Sequence, residues 1–143
     1  TELPYALFLG VPKHQVPQPV LASGLAENGW VPITLRTMET RFPDVYAIGD
    51  MAATGLPKAG SFAESAARAA ASSILAKFKG GEATPNSGTG SCLVEFGDGR
   101  IGWADLDFLT GPKLTSIYHA PSVAGRAHKV QFGASRRARW FGL

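Results

Sequence analysis

The run Thr40-Arg41-Phe42-Pro43-Asp44-Val45-Tyr46-Ala47-Ile48-Gly49-Asp50 constrains the fold of this chain more than any other. Phe42-Pro43-Asp44 carries turn chemistry, because proline fixes φ and aspartate bonds its own backbone. Val45 to Ile48 is a brief apolar run, the pattern of a strand covered on both faces. Gly49 lets a ligand or a second backbone come close. Asp50 then stands at the carboxyl end of that strand, where open α/β sheets present their ligand-binding groups. A carboxylate is acceptor-only, so it suits a ligand hydroxyl.

Around this run the pattern alternates between strand and helix. Tyr5-Ala6-Leu7-Phe8-Leu9, closed by Gly10, reads as a buried strand of a parallel sheet. Pro12, Pro17 and Pro19 make the next stretch extended, with one helical turn at Val20-Leu21-Ala22. Trp30 to Leu35 reads as a strand, and Pro32 assigns it to an edge or a bulge. Ser61-Phe62-Ala63-Glu64 spells a capping box that opens the best helix of the chain. Ala63, Ala66, Ala67, Ala70, Ala71, Ile74, Leu75 and Phe78 fall on one stripe of it. Gly80-Gly81 ends it.

Residues 82–90 are rich in Gly, Ser, Thr and Pro and read as a loop or linker. They divide the chain into a first part, residues 1–81, and a second, residues 82–143. In the second part, Cys92 to Phe96 and Ile101 to Leu109 read as strands joined by a Gly97-Asp98-Gly99 hairpin turn. Lys113 to His119 is a candidate third strand. The spacing of Val123, Ala127, Val130, Ala134, Ala138 and Phe141 predicts a helix from Ser122 to about Trp140. Gly125 and Gly133 each weaken it by ~1 kcal/mol relative to alanine.

The 143 residues suit one domain, and no apolar run approaches the ~20 residues of a membrane-spanning helix. No basic-then-apolar leader is visible. A single cysteine excludes an internal disulfide and suits a reducing compartment. Lys113, Arg126, Lys129, Arg136, Arg137 and Arg139 occupy a tail with no Asp or Glu. Such a tail suits an anionic surface: membrane, nucleic acid or an acidic partner. His14, His119 and His128 are scattered without metal-ligand spacing, so no metal site is expected. Asp105 and Asp107 share one strand face and read as the polar side of a hairpin, with Leu106 and Phe108 on the other.

Thr40, Val45, Tyr46, Ala47, Gly49 and Asp50 match the pattern Thr-x-x-x-x-Val-Tyr-Ala-x-Gly-Asp. The run resembles the second FAD-binding motif of the pyridine nucleotide-disulfide oxidoreductases, the two-dinucleotide-binding-domain flavoproteins. Gly10-Val11-Pro12 with His14, Ser23-Gly24-Leu25 and Gly29-Trp30-Val31-Pro32 are similar to the segment before that motif in the sulfide:quinone oxidoreductase-like family. Pro57-Lys58-Ala59-Gly60 is similar to its Pro-Lys-x-Gly element. Gly90-Ser91-Cys92 and the hairpin after it resemble its C-terminal, dimerisation-type region.

No N-terminal Gly-x-Gly-x-x-Gly follows a strand and opens a helix here, although a helix start of that kind binds the FAD pyrophosphate. The resemblance therefore implies the C-terminal portion of a longer flavoprotein: an α/β fold, α+β in this portion, with remnant FAD-domain strands, an Ala-rich helix, and a hairpin plus helix. The cofactor implied is FAD, in the full-length parent and not in this portion alone. The implied contacts are Gly49, Asp50, Met51, Ala52, Lys58, Ala59 and Gly60. Asp50 would bond a ribityl hydroxyl or the pyrophosphate region, and the Met51 and Ala52 amides would lie near the flavin phosphates. The helix start at Lys58-Ala59-Gly60 would stabilise the anionic reduced flavin, and Lys58 would add to that or contact a quinone. The other reading of Lys58 is a solvated loop lysine.

The resemblance also implies a redox role for Cys92, working with a second cysteine upstream of Thr1. The alternative for Cys92 is a small buried hydrophobe. The activity implied is passage of two electrons through FAD from sulfide to a quinone. The alternatives are a type II NADH dehydrogenase, the flavoprotein of flavocytochrome c sulfide dehydrogenase, or a non-catalytic dimerisation or binding module. The implied partners are the N-terminal part of the same chain, the quinone and a membrane surface, with self-association of this portion and no nucleic acid. The implied location is cytoplasmic or peripheral on the cytoplasmic membrane, with a periplasmic one left open.

Overall fold

The longest helix, α2 (Gly60–Lys79), lies between the two parts of the chain. A computed structural model describes residues 4–143. Before α2 come one short helix, α1 (Gln18–Ala22), and a 3-10 turn at Gly49–Met51. After it come β1 (Thr89–Glu95), β2 (Ile101–Asp107), β3 (Thr115–Ser122) and α3 (Gly125–Phe141). The fold of the described residues is thus mixed helix and strand, with three helices and one three-stranded antiparallel sheet in the order β1-β2-β3.

The core sits on the α2 side. Ala66, Ala69 and Ala70 of α2 pack against Val16, Val31, Met38, Ala47 and Ala52. Small alanine side chains let the irregular chain lie close to the helix axis. Burial selects a face slightly rotated from the expected stripe. Ala69 is buried, whereas Ala71, Ile74, Leu75 and Phe78 are exposed. Serines fix the rotation: Ser73 Oγ donates to the Thr37 carbonyl at 3.3 Å, and Ser65 Oγ to Asn86 Oδ1 at 2.8 Å. Both inward hydroxyls thereby find partners, as buried polar groups require.

The capping box does not form. Ala59 is the N-cap and provides no side-chain bond. Ser61 Oγ donates instead to the Ser91 carbonyl at 3.2 Å, which ties the start of α2 to β1. The helix ends at Gly80, whose φ of 76° only glycine adopts without strain.

The three strands expected in the first part are absent. Residues 5–9 are exposed and form no strand. Trp30 to Leu35 contributes only isolated bridges, Glu27 with Trp30 and Val31 with Ala52. Val45 to Ile48 contributes only the bridge from Tyr46 to Glu39, and Val45 and Ile48 are exposed. A strand is stable only with neighbours to share its hydrogen bonds, and no neighbouring strand lies along these runs among the described residues.

The second part follows its local signals. Gly97-Asp98-Gly99 closes the β1–β2 hairpin, with the Phe96 amide donating to the Arg100 carbonyl at 3.0 Å. The string Gly97-Asp98-Gly99-Arg100-Ile101-Gly102 has dinucleotide-motif spacing, but it runs into β2 rather than into a helix. β3 begins and ends later than expected, at Thr115 and Ser122. α3 meets β2 backbone to backbone at Gly125: a Cβ there would lie 2.2 Å from the Ile101 carbonyl oxygen.

Residues 82–90 dock through Asn86 rather than run free. Asn86 is buried; its amide side chain donates to the Leu35 carbonyl at 3.3 Å, and its Oδ1 accepts from Ser65 and from the Gly88 amide.

Candidate functional site

The run from Thr40 to Asp50 ends in a tight knot against α2. Gly49 (φ 69°) opens the 3-10 turn, and a Cβ on it would stand 3.9 Å from the Ala63 Cβ. The turn is anchored by paired bonds to Val31: its amide donates to the Met51 carbonyl at 2.9 Å, and its carbonyl accepts from Ala53 at 2.8 Å. Asp50 is exposed, and its carboxylate makes no hydrogen bond among the described residues. Its backbone carbonyl is taken by Lys58, whose Nζ donates at 2.5 Å.

Lys58 is pinned on a second side. Its Nζ lies 3.8 Å from the centre of the Trp30 ring, a cation–π contact. Asp50, Met51, Lys58 and Trp30 line an open pocket of about 570 Å³ with His14 and Ile48. On the other side of the loop, Gly49, Asp50, Lys58 and Ala59 border a narrow slot against Phe62 and Ala63 of α2. The first turn of α2 donates from Phe62 and Ala63 to the Ala59 carbonyl. The amides of Gly60 and Ser61 lie ahead of the intrahelical ladder, in the position that favours an anion.

Of the expected contacts, Asp50 and Lys58 border both the pocket and the slot, Met51 only the pocket, and Gly49 and Ala59 the slot but not the pocket, whereas Gly60 lines a separate groove. Ala52 borders none of these. Ala52 is fully buried in the core, and its amide donates to the Gly49 carbonyl at 3.2 Å, so that amide is not free for a phosphate.

Cys92 lies elsewhere. It lines a groove of about 550 Å³ with Gly60, Ser61, Phe132, Arg136 and Trp140, on the far side of the α2 start from Lys58. Its thiol is half-buried and free. Ala59 borders both the Cys92 groove and the Lys58 slot.

Two clusters were not legible as such in the sequence. Trp103 is stacked between two imidazoles, His119 at 4.1 Å and His128 at 4.2 Å between ring centres. Beside them, Asp105 accepts from Ser91 Oγ (2.5 Å) and Trp103 Nε1 (3.2 Å), and its Oδ2 lies 3.0 Å from His119 Nε2. Burial pushes the Asp105 carboxyl up, but the bonds from Ser91, Trp103 and His119 and the His119 charge outweigh it and hold it below the usual carboxylate range. The hairpin register carries the signal, since it sets Trp103 opposite His119 and Asp105 opposite Ser91.

The second cluster is Glu64 with Arg68, Arg136 and Arg139. It takes two of the tail cations, Arg136 and Arg139, into ion pairs. Lys129 also pairs, with Glu95, leaving Arg126 and Arg137 without an ion-pair partner among the described residues of α3.

Among the described residues, no helix is long and apolar enough to cross a membrane. No group of three or more His, Cys, Asp or Glu side chains there is gathered for a metal ion. No protein-family profile matches the chain, and no curated protein matches it.

Proposed function

We propose that this chain is the C-terminal portion of an FAD-dependent oxidoreductase of the sulfide:quinone oxidoreductase type. The observation that carries the reading is the juxtaposition of the Gly49–Met51 turn with the start of α2. It sets Gly49 and Asp50, whose carboxylate makes no hydrogen bond among the described residues, against Ala59, Phe62 and Ala63 of the first turn of that helix.

These residues fit a dinucleotide cofactor. Asp50 offers an acceptor for a ribityl hydroxyl, and Gly49 keeps the approach open. The start of α2 supplies about half a positive charge for phosphate or for an anionic ring. Bound FAD supplies two-electron redox chemistry, while the protein places and tunes it. Lys58 lies between Asp50 and Trp30, where its charge adds to that of the helix end or meets a quinone oxygen in the pocket of about 570 Å³. Cys92, in its own groove, is the candidate thiol for sulfide, with its partner cysteine in the N-terminal part of the parent. The exposed Val130, Trp140, Phe141 and Leu143 with Arg126 and Arg137 face an anionic membrane surface. With Arg136 and Arg139 paired to Glu64, Arg126 and Arg137 serve that surface, each worth ~1 kcal/mol.

The test is made on the protein encoded by the complete reading frame. It should purify with a visible flavin band. Asp50→Ala should lose that band on desalting, and residues 1–143 alone should be colourless. Cys92→Ser should keep the flavin and lose its reduction by sulfide. A complete protein that carries no flavin overturns the reading. Sulfide turnover retained by Cys92→Ser assigns that residue to packing and favours an NADH-oxidising enzyme.

A further inference from the structure

We propose that the open cavity bordered by α2, α3 and the sheet binds a phosphorylated polyol, with Arg68, Arg136 and Arg139 on the phosphate and a row of hydroxyls on the body. The cavity measures about 630 Å³, within the range of small-ligand sites. The inference does not rest on the flavoprotein reading, because it concerns a different face of α2. Ser61, Glu64, Ser65 and Arg68 recur there at i, i+3, i+4 and i+7, beside the stripe that buries Phe62, Ala66 and Ala69.

Charge at one end of the cavity is unbalanced. Glu64, with a side chain only 11% exposed, meets three guanidinium groups. Arg68 Nη2 lies 3.3 Å from Oε1, Arg136 Nε 3.1 Å from Oε2, and Arg139 Nη1 also bonds Oε1. One carboxylate against three guanidiniums leaves two positive charges. Each guanidinium carries five N–H donors, and Glu64 engages only one from each of Arg68, Arg136 and Arg139. Arg136 is already fixed: its guanidinium carbon sits 3.4 Å from the Phe132 ring centre, and Nη1 donates to the Phe132 carbonyl at 3.1 Å. A cation ordered before the ligand arrives loses little entropy on binding. Planar, forked donors converging from two helices match the terminal oxygens of a phosphate.

The opposite wall carries the other two carboxylates, and both are already occupied. Asp105 has Ser91, Trp103 and His119 as partners. Asp107 accepts from the Leu109 and Thr110 amides and from Thr110 Oγ1. They do not compete for the arginines, and they repel an anion towards the arginine end. Between the two ends, Ser65, Ser87 and Thr89 form a hydroxyl chain with steps of 3.1 and 2.8 Å. Hydroxyls that donate and accept along a row suit a polyol body rather than a bare ion.

The experiment titrates the whole 143-residue chain by calorimetry with inorganic phosphate and with a pentose phosphate, at constant ionic strength against chloride. The pentose phosphate should bind about tenfold tighter than inorganic phosphate, and chloride should not bind. Arg68→Gln, at an exposed position of α2, should weaken both by about tenfold with the circular dichroism spectrum unchanged. Glu64→Gln removes the competing carboxylate and should tighten phosphate binding; were the cluster only a clasp between helices, the same change would loosen α3 and weaken it. If Glu64→Gln does not fold, the Arg68→Gln result decides alone. Phosphate acting no differently from chloride, or binding unaltered in Arg68→Gln, overturns the site. Equal affinity for the two phosphates overturns the polyol.

Discussion

The two parts of the molecule solve opposite halves of the folding problem. Residues 4–59 supply most of the core, with Val31, Met38 and Ala52 fully buried, yet they contain almost no regular structure. Residues 89–141 are mostly helix or strand, yet among them only Ile101, Gly102 and Gly125 are buried. The first part is held by apolar burial against α2, the second by the hydrogen-bond ladder of its meander and by stacked rings and ion pairs. Regularity and burial are therefore separable. Ladder bonds form wherever strands are joined by short turns, whereas a core needs a partner surface, here the alanine face of α2.

The largest expected effect comes from removing that partner packing. Met38→Ala empties a fully buried site at the centre of the first part and should cost about 2–5 kcal/mol in urea unfolding. Hydrogen exchange should then show residues 31–52 and α2 losing protection before β2. Equal loss in β2 would show that the two parts are one cooperative unit and break the comparison.

Asn86 is the polar link between the parts, bonding Leu35 on one side and Ser65 and Gly88 on the other. Asn86→Ala leaves several of these groups without partners and should cost about 1–3 kcal/mol. A change under a few tenths of that, read from the urea midpoint, would mean that the parts are not joined there.

Gly125→Ala tests the second part alone. The added Cβ collides with the Ile101 carbonyl and should displace α3, costing about 1–2 kcal/mol after the gain in helix propensity. Protection should fall in α3 and β2 and stay unchanged in α2. Stabilisation by the variant would show that α3 is not seated on β2.

The smallest effect is that of acid. Asp105 is held below its ordinary value, so its contribution to stability is present above the unfolded carboxylate range near pH 3.9 and is lost as pH falls through the depressed folded value. The urea midpoint should drop between about pH 5 and about pH 2 by more in the native chain than in Asp105→Asn. Identical slopes would assign the acid sensitivity to other carboxylates.

The same division governs what could be read from the residues. The Gly97-Asp98-Gly99 hairpin, the Gly80 stop and the existence of α3 were legible because their causes lie within a few residues. The buried face of α2 was displaced because inward Ser65 and Ser73, rather than the larger apolar side chains, found partners. Glu64 fits a capping box by spacing, but its role is fixed by arginines that lie far along the chain, beyond any local pattern. Tyr5 to Leu9 shows the opposite failure: a run composed like a buried strand stays exposed where no neighbouring strand lies along it. In the candidate cofactor site, the helix start was legible to within one residue, but the Gly49–Met51 turn stands where the end of a strand was expected, and the inward facing of Ala52 depends on the Val31 pairing across the loop.

The placement of the three tryptophans makes the chain its own optical instrument. Trp30 lies under the Lys58 ammonium in the first part, Trp103 between two imidazoles in the second, and Trp140 largely in solvent near the end of α3. Each emits from a distinct surrounding, so variants keeping one indole and replacing the others with phenylalanine would follow each region by its own colour and intensity. The Trp140 emission should already lie towards the red in the native state and barely move on unfolding. Trp30 and Trp103 should shift, and a difference between their midpoints would measure directly how far one region melts ahead of the other.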